Sequence, residues 1–181
     1  SETEVSSDLP EVFALFVGSS HYGNLYGLKW FIDEVLPGSA VPAVVVVGNW
    51  SNRDIEYLIG DNVISRLVFV GQKSNLEMIY ARAAVALNPV FEGAGISIKT
   101  MEALVSGCPI ISSPFGARGL GEFRELYPGC IKICENSKQW VEALDVNLVA
   151  DAKNTRARVE VAVRARNFFG HEDFVRRVVE S

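Results

Sequence analysis

Short apolar runs alternate along the chain with segments whose apolar residues recur every three or four positions. That alternation marks strands and helices succeeding one another as βα units on a parallel sheet. Val12 to Val17 (VFALFV) predicts a buried strand ending in the turn Gly18-Ser19-Ser20. Asn24 is placed to cap a helix over Leu25 to Leu36, with Leu28, Phe31, Ile32 and Val35 on one face and Pro37-Gly38 as its stop. The β-branched run Ala43 to Val47 (AVVVV) predicts a second strand, apolar on both faces. A short helix follows near Asp54 to Ile59, and Leu67 to Val70 (LVFV) predicts a third strand closed by Gly71.

The same alternation continues. Ser74 is placed to cap a helix over Leu76 to Ala83, and Ala84 to Leu87 predicts the fourth strand. A helix over Ile96 to Ser106 stops at Gly107 and Pro109, and Ile110 to Ser112 and Ile131 to Cys134 predict the last two strands. A Ser137-capped helix over Gln139 to Leu144, a long helix over Leu148 to Phe168 broken by Gly170, and an amphipathic helix over Glu172 to Val179 complete the pattern. The expected fold is α/β: a Rossmann-like, doubly wound parallel sheet of about six strands in the order 3-2-1-4-5-6, with helices on both faces.

Composition narrows the classes. Of 181 residues, 49% are hydrophobic and 22% charged, which excludes disorder, collagen and coiled coil. A net charge of -5 with no basic block argues against a nucleic-acid binder. Cys108, Cys130 and Cys134 have no His at ligand spacing and read as reduced, buried thiols of a reducing compartment. No apolar run reaches the roughly 18 residues that suggest a spanning helix. Residues 1–10 are polar, begin without Met and read as a linker or tail, leaving 11–181 as one domain. The expectation is a piece of a longer protein whose missing part lies upstream, with proteolytic maturation as the alternative.

A doubly wound sheet binds ligands beyond the carboxyl ends of its strands. Glycines stand first in three of those loops, at Gly18, Gly48 and Gly71, where a ligand can approach the backbone closely. The first loop lacks the G-x-G-x-x-G spacing and no acidic residue closes the second strand, which argues against a nicotinamide dehydrogenase. A P-loop, a G-x-S-x-G elbow and a carboxylate pair after the first strand are absent as well.

The richest segment runs from Asn88 to Pro109. Gly93-Ala94-Gly95 leads from a strand end into a helix start, where free amides and the helix dipole favour an anion. Lys99 and Glu102 follow, three apart and therefore on one face. A cation beside free amides suits a diphosphate, and an ionised carboxylate one turn on suits a sugar diol. Together they describe a nucleotide. A surface Lys–Glu pair on an amphipathic helix is the alternative that spacing leaves open.

Gly93-Ala-Gly-Ile-Ser-Ile-Lys99-Thr-Met-Glu102-Ala-Leu-Val-Ser-Gly107-Cys-Pro109, followed by Gly116-Ala-Arg-Gly119-Leu, resembles the donor-binding segment of family 4-like glycosyltransferases, of glycosyl transferases group 1. Phe16-Val-Gly18 through Leu36 resembles the opening of the C-terminal domain of their GT-B fold, and Val68 to Ala84 resembles the strand and helix beside the nucleobase. The resemblance implies a C-terminal domain that binds a UDP- or GDP-linked sugar for transfer to a glycan, lipid or small acceptor, with retention and without metal or other cofactor. It implies a missing N-terminal domain carrying the acceptor site.

By the same resemblance Glu102 holds the ribose, and Lys99 with the amides around Gly95 and Ile96 holds the diphosphate. Gly71 and Gln72 meet the base, and Gly18, Ser19, Gly93 and Ala94 complete the donor site, with Lys99 and Glu102 as its catalytic pair. Two departures stand out: Ala94 replaces a second glutamate that many relatives aim at the donor sugar, and the basic residues they place after the first strand are missing around Ser19 and Tyr26. Glu92 falls two residues too early to replace that glutamate. A sugar-nucleotide 2-epimerase and a non-catalytic nucleotide- or partner-binding module remain as alternatives.

His21 is either a phosphate or sugar contact or an idle loop residue, and Tyr22 and Tyr26 either stack or pack. Trp30, Phe31, Trp140, Phe168 and Phe169 are assigned to the core. The basic C-terminal stretch Arg156, Arg158, Arg164, Arg166, Arg176 and Arg177 reads as a solvated helix face or as a membrane-surface or partner face. The expected location is cytoplasmic, with peripheral contact at the inner membrane face.

Overall fold

The computed structural model describes residues 9–60, 65–93, 97–150 and 155–170. Six strands, β1 (Ala14–Val17), β2 (Val44–Val47), β3 (Leu67–Gly71), β4 (Val85–Asn88), β5 (Ile110–Ser112) and β6 (Ile131–Ile133), form one sheet in the order β3-β2-β1-β4-β5-β6. Every pairing is parallel, with Phe16 opposite Val46 on one side and Leu87 on the other. The expected strand order holds. The order reverses between β1 and β4, the switch point where such sheets open a crevice.

Alternate residues of each strand face opposite ways, so the sheet carries two cores. Leu15, Val45, Val47, Ala86 and Ile110 pack on one face. Phe16, Val44, Val46, Leu87 and Ile111 pack on the other. The helices are α1 (Tyr22–Trp30), α2 (Asn52–Ile59), α3 (Glu77–Arg82), α4 (Ile98–Val105), α5 (Gly121–Leu126), α6 (Ser137–Ala150) and α7 (Thr155–Phe169). Leu28 and Trp140 belong to the second core, Ile79, Leu104, Phe123 and Phe169 to the first. Phe31 and Trp140 are fully buried, while Trp30 and Phe168 are partly buried against their cores. Cys108, Cys130 and Cys134 are buried thiols outside any disulfide.

Several element ends differ from expectation. Asn24 lies inside α1 rather than capping it, and His21 stands at the N-cap. Beyond Trp30 the helix widens to a π-helical turn over Phe31–Val35 and tightens at Leu36–Gly38. Helix α3 begins after Leu76 with no side-chain cap, so Ser74 does not cap it. Asn136 rather than Ser137 accepts from the Gln139 amide, at 3.1 Å, and α6 runs on to Ala150. The long helix expected from Leu148 starts at Thr155 instead. Helix α5 was not anticipated. The expected linker before Leu9 and the helix over Glu172 to Val179 lie outside the described residues.

The basic stretch of α7 is not a free face. Arg158 donates to the carbonyls of Gly107 (3.1 Å), Ala83 (3.0 Å) and Tyr80 (2.8 Å), stapling α7 to the ends of α3 and α4. Gly107 permits this approach, because a Cβ there would stand 2.4 Å from the Arg158 carbonyl oxygen and its φ is +69°. Arg166 donates to the Val105 carbonyl and to Glu77, and Arg164 pairs with Glu160. Arg156 and Arg166 are exposed, and Arg158 and Arg164 are half-buried. Arg176 and Arg177 lie outside the described residues.

Candidate functional site

The carboxyl ends of β1, β2 and β3 open into a cleft of about 510 Å³ lined by Gly18, Ser19, His21, Gly48, Gln72 and Lys73 among others. Its three turns are laced together. The Gly18 amide donates to the Val47 carbonyl at 2.9 Å, Ser20 to Asn49 at 3.2 Å, and Gly48 to Gly71 at 3.0 Å. Gly48 has φ +146°, and a Cβ there would lie 2.0 Å from the Gly18 carbonyl oxygen, so only glycine lets the two loops meet. Gly71 forms the turn at φ +70° but does not line the cleft, whereas Gln72 does.

A second cleft, of about 560 Å³, shares Leu76 with the first and is lined by Ser74, Asn75, Tyr80 and Glu102. The half-buried Glu102 carboxylate takes a hydrogen bond from Tyr80, whose hydroxyl also lies 3.4 Å from the Lys99 carbonyl oxygen. Burial raises the Glu102 pKa above the usual carboxylate range, while Tyr80 and Lys99 pull it back. Burial and the Glu102 charge together push the Tyr80 phenol up.

Lys99, in the first turn of α4, reaches across the switch point. Its ammonium donates to Asn24 Oδ1 on α1 and stands 5.0 Å from the centroid of the Phe16 ring. The Asn24 amide in turn donates to the Ser19 carbonyl at 2.9 Å, linking Lys99 to the wall of the first cleft. Burial, and then the neighbouring Arg118, hold the Lys99 pKa down at about 8, against a smaller upward pull from Glu102. Lys99 is thus a desolvated cation beside a second cation, and its ammonium goes to Asn24 instead of pairing with Glu102. The surface-pair alternative does not describe it.

A buried polar knot sets the start of α4. Asn88 at the end of β4 is fully buried, with its side-chain nitrogen 2.8 Å from both Ser97 Oγ and Thr100 Oγ1 and 2.9 Å from the Gly116 carbonyl. The Ser113 hydroxyl accepts from the Gly116 amide at 2.9 Å and donates to the Val90 carbonyl. A buried network of this kind fixes the relative placement of the segments it joins. Ser97, the N-cap residue, turns its hydroxyl into the knot and caps nothing, so no side chain satisfies the opening amides of α4. Such a terminus favours an anion. The helix opens at Ile98, two residues later than the sequence suggested.

Of the expected site residues, Gly18, Ser19 and Gln72 share the first cleft, Glu102 lines the second, and Lys99 is joined to the first through Asn24. Gly93, at φ +139°, leaves β4 beside the Arg118 guanidinium. Ala94, Gly95 and Ile96 lie outside the described residues. Glu92 is exposed, and the exposed Tyr22 and Tyr26 rings stack at 6.3 Å. Lys73, Tyr80 and Arg118 were not singled out from sequence, and Asn24 was read only as a helix cap. A polar residue one turn into a helix that follows the first strand, and an arginine inside the Gly116–Gly119 loop, were the available signals. Among the described residues, no group of three or more His, Cys, Asp or Glu side chains is assembled to hold a metal.

The family model described as glycosyl transferases group 1 matches residues 11–149. The chain belongs to that family. A group 1 glycosyl transferase with this sheet has the Rossmann-like half of a GT-B fold, as its structural neighbours show. WaaG, a glycosyltransferase involved in lipopolysaccharide biosynthesis, superposes with a TM-score of 0.61 at 19% identity, covering 92% of this chain and 45% of WaaG. Sucrose-phosphate synthase from Thermosynechococcus elongatus superposes at 0.69 and 22% identity, over 95% of this chain and 45% of that one. Anabaena HepE, solved in complex with UDP, superposes at 0.61 and 14% identity, over 94% and 48%. A curated relative, an uncharacterized 44.6 kDa protein in the cps region of Klebsiella pneumoniae, is 28% identical over 124 residues, covering 63% of this chain and 32% of that protein. The chain spans less than half the length of these relatives. Among the described residues, no helix is long and apolar enough to cross a membrane.

Proposed function

We propose that residues 11–181 are the donor-binding C-terminal domain of a two-domain glycosyltransferase that takes a UDP- or GDP-linked sugar. The observation that carries this reading is the placement of Lys99, a desolvated cation that opens α4 at the switch point and stands one helical turn from the Tyr80-supported Glu102. The Gln72 loop meets the base. Glu102 accepts both ribose hydroxyls, and a charged acceptor makes the stronger class of hydrogen bond. Lys99 and the uncapped opening of α4 meet the diphosphate.

Chemistry follows from where charge develops. As the glycosidic C–O bond breaks, the electron pair leaves with the diphosphate, and a fixed cation in a desolvated site stabilises it without reorganising. No side chain of this domain needs to shuttle a proton for that step. The acceptor hydroxyl and any base that takes its proton belong to the missing N-terminal domain. The motif's resemblance to its family supports transfer with retention. The buried cysteines, none of them in a disulfide, fit a reducing compartment such as the cytoplasm.

Calorimetric titration of this chain with UDP, GDP and ADP tests the reading. One of them is expected to bind, more tightly than its monophosphate and nucleoside. Absence of heat with every nucleoside diphosphate at millimolar concentration would remove the donor-site assignment.

A further inference from the structure

Resting on that donor-site reading, we propose that Arg118 is a second diphosphate ligand, which clamps the outer phosphate together with Lys99. Arg118 follows the 3-10 turn Phe115–Ala117 after β5. Its guanidinium carbon stands 4.1 Å from the centroid of the Phe115 ring, and Nη1 donates to the Phe115 carbonyl at 3.0 Å. The group is thereby held against the loop that leaves β4. A Cβ on Gly93 would lie 3.4 Å from Nη2, in van der Waals contact, which places the guanidinium directly beside that loop. The turn that carries Arg118 is tied to the start of α4 through Gly116, whose carbonyl meets Asn88 and Thr100. Arg118 and Lys99 are therefore placed by one buried polar knot.

The electrostatics favour a shared anion. The chain is acidic overall, at -5, yet it gathers two half-buried cations here. Each lies low relative to its ordinary pKa because of burial, and Arg118 depresses Lys99 further. Like charges in a partly buried site repel, and an anion that meets both relieves that repulsion. A diphosphate carries more negative charge than one ammonium neutralises, and a guanidinium fork suits its outer oxygens. Lys99, joined to Asn24 and Ser19, lies on the nucleoside side. Arg118 follows β5 and is assigned the outer phosphate.

The test is calorimetric titration of this chain with whichever of UDP and GDP binds tighter, and with its monophosphate. Arg118→Ala is expected to weaken the diphosphate about 10-fold or more while changing the monophosphate by about 2-fold at most, the scale of one charge-assisted hydrogen bond. Arg118→Lys should recover part of the loss. Arg118→Gln, which keeps a donor for the Phe115 carbonyl, guards against misfolding and should behave like the alanine. Equal losses for mono- and diphosphate, or an unchanged diphosphate affinity in the glutamine variant, overturn the proposal while the donor site stands. Failure of the parent to bind any nucleoside diphosphate overturns both.

Discussion

The Lys99 ammonium rests over the Phe16 ring, 5.0 Å from its centroid, so the cation that opens α4 is buried on a side chain of β1. An aromatic face tolerates an ammonium but does not replace its hydration, and the Lys99 pKa falls from 10.5 to about 8. A bound diphosphate restores the charged form. Between those two values the free site is losing its proton while the occupied site keeps it. Diphosphate affinity is therefore expected to fall as pH rises above 8, with a proton taken up on binding. Titrations near pH 9 in buffers of different ionisation enthalpy read the uptake directly, and Lys99→Met should abolish it. The same shift predicts that the penalty of burying Lys99 is greatest below pH 8 and fades toward 10.5, because the unfolded chain holds this proton longer.

Glu102 and Tyr80 give a second expectation. Glu102→Gln should weaken nucleotide binding by about 1.5–3 kcal/mol, the range for hydrogen bonds to a charged group. Tyr80→Phe, which only frees the carboxylate from its support, should cost about 0.5–1.5 kcal/mol. Both losses should nearly vanish with a 2′,3′-dideoxy nucleotide. Continued discrimination between ribose and dideoxyribose by Glu102→Gln would move the ribose elsewhere.

Gly48→Ala is expected to destabilise the domain by about 2–4 kcal/mol, since it combines a strained backbone region with a close backbone contact. Gly60, at φ +57°, has nothing within 4 Å of an added Cβ. Its alanine variant should cost only about 1 kcal/mol. Urea denaturation of the two variants reads the difference, and equal costs would mean that the Gly18–Gly48 contact is relaxed in solution.

Arg158 should matter to stability and Arg156 should not. Arg158→Ala strands the carbonyls of Tyr80, Ala83 and Gly107, at an expected cost of about 2–4 kcal/mol. Lysine, with a single ammonium, is not expected to restore all three bonds. The exposed Arg156→Ala should stay within about 0.5 kcal/mol of the parent. Thermal melts of the three variants decide the order.

The sheet was legible because Val44–Val47 is apolar on both faces and each strand ends at a glycine or a small polar turn. Lys99 and Glu102 were legible from helical spacing, although spacing could not show that Lys99 turns to Asn24. Asn24 was misread because a short amide before an apolar helix serves equally as a cap or as a partner inside the first turn. Ser137 was misread because the neighbouring Asn136 takes the cap, and Ser74 because α3 opens after Leu76 with no side-chain cap. Arg158 was read with its neighbours as surface charge. Nothing in the local pattern indicates that three carbonyl ends converge on its guanidinium, because they come from segments far away in sequence.

The contact between Lys99 and Asn24 joins residues 75 positions apart. Both β1 with α1 and β4 with α4 must be in place for that contact to exist, so the site is complete only in the assembled sheet. Half-formed chains should therefore discard nucleotide, and occupied chains should resist unfolding as whole units. Any ligand that holds Lys99 in place spans the β1 and β4 halves of the sheet. Mass action then turns its affinity into protection for both halves, and hydrogen exchange should slow in the flanking β2 and β5 as well as at the cleft.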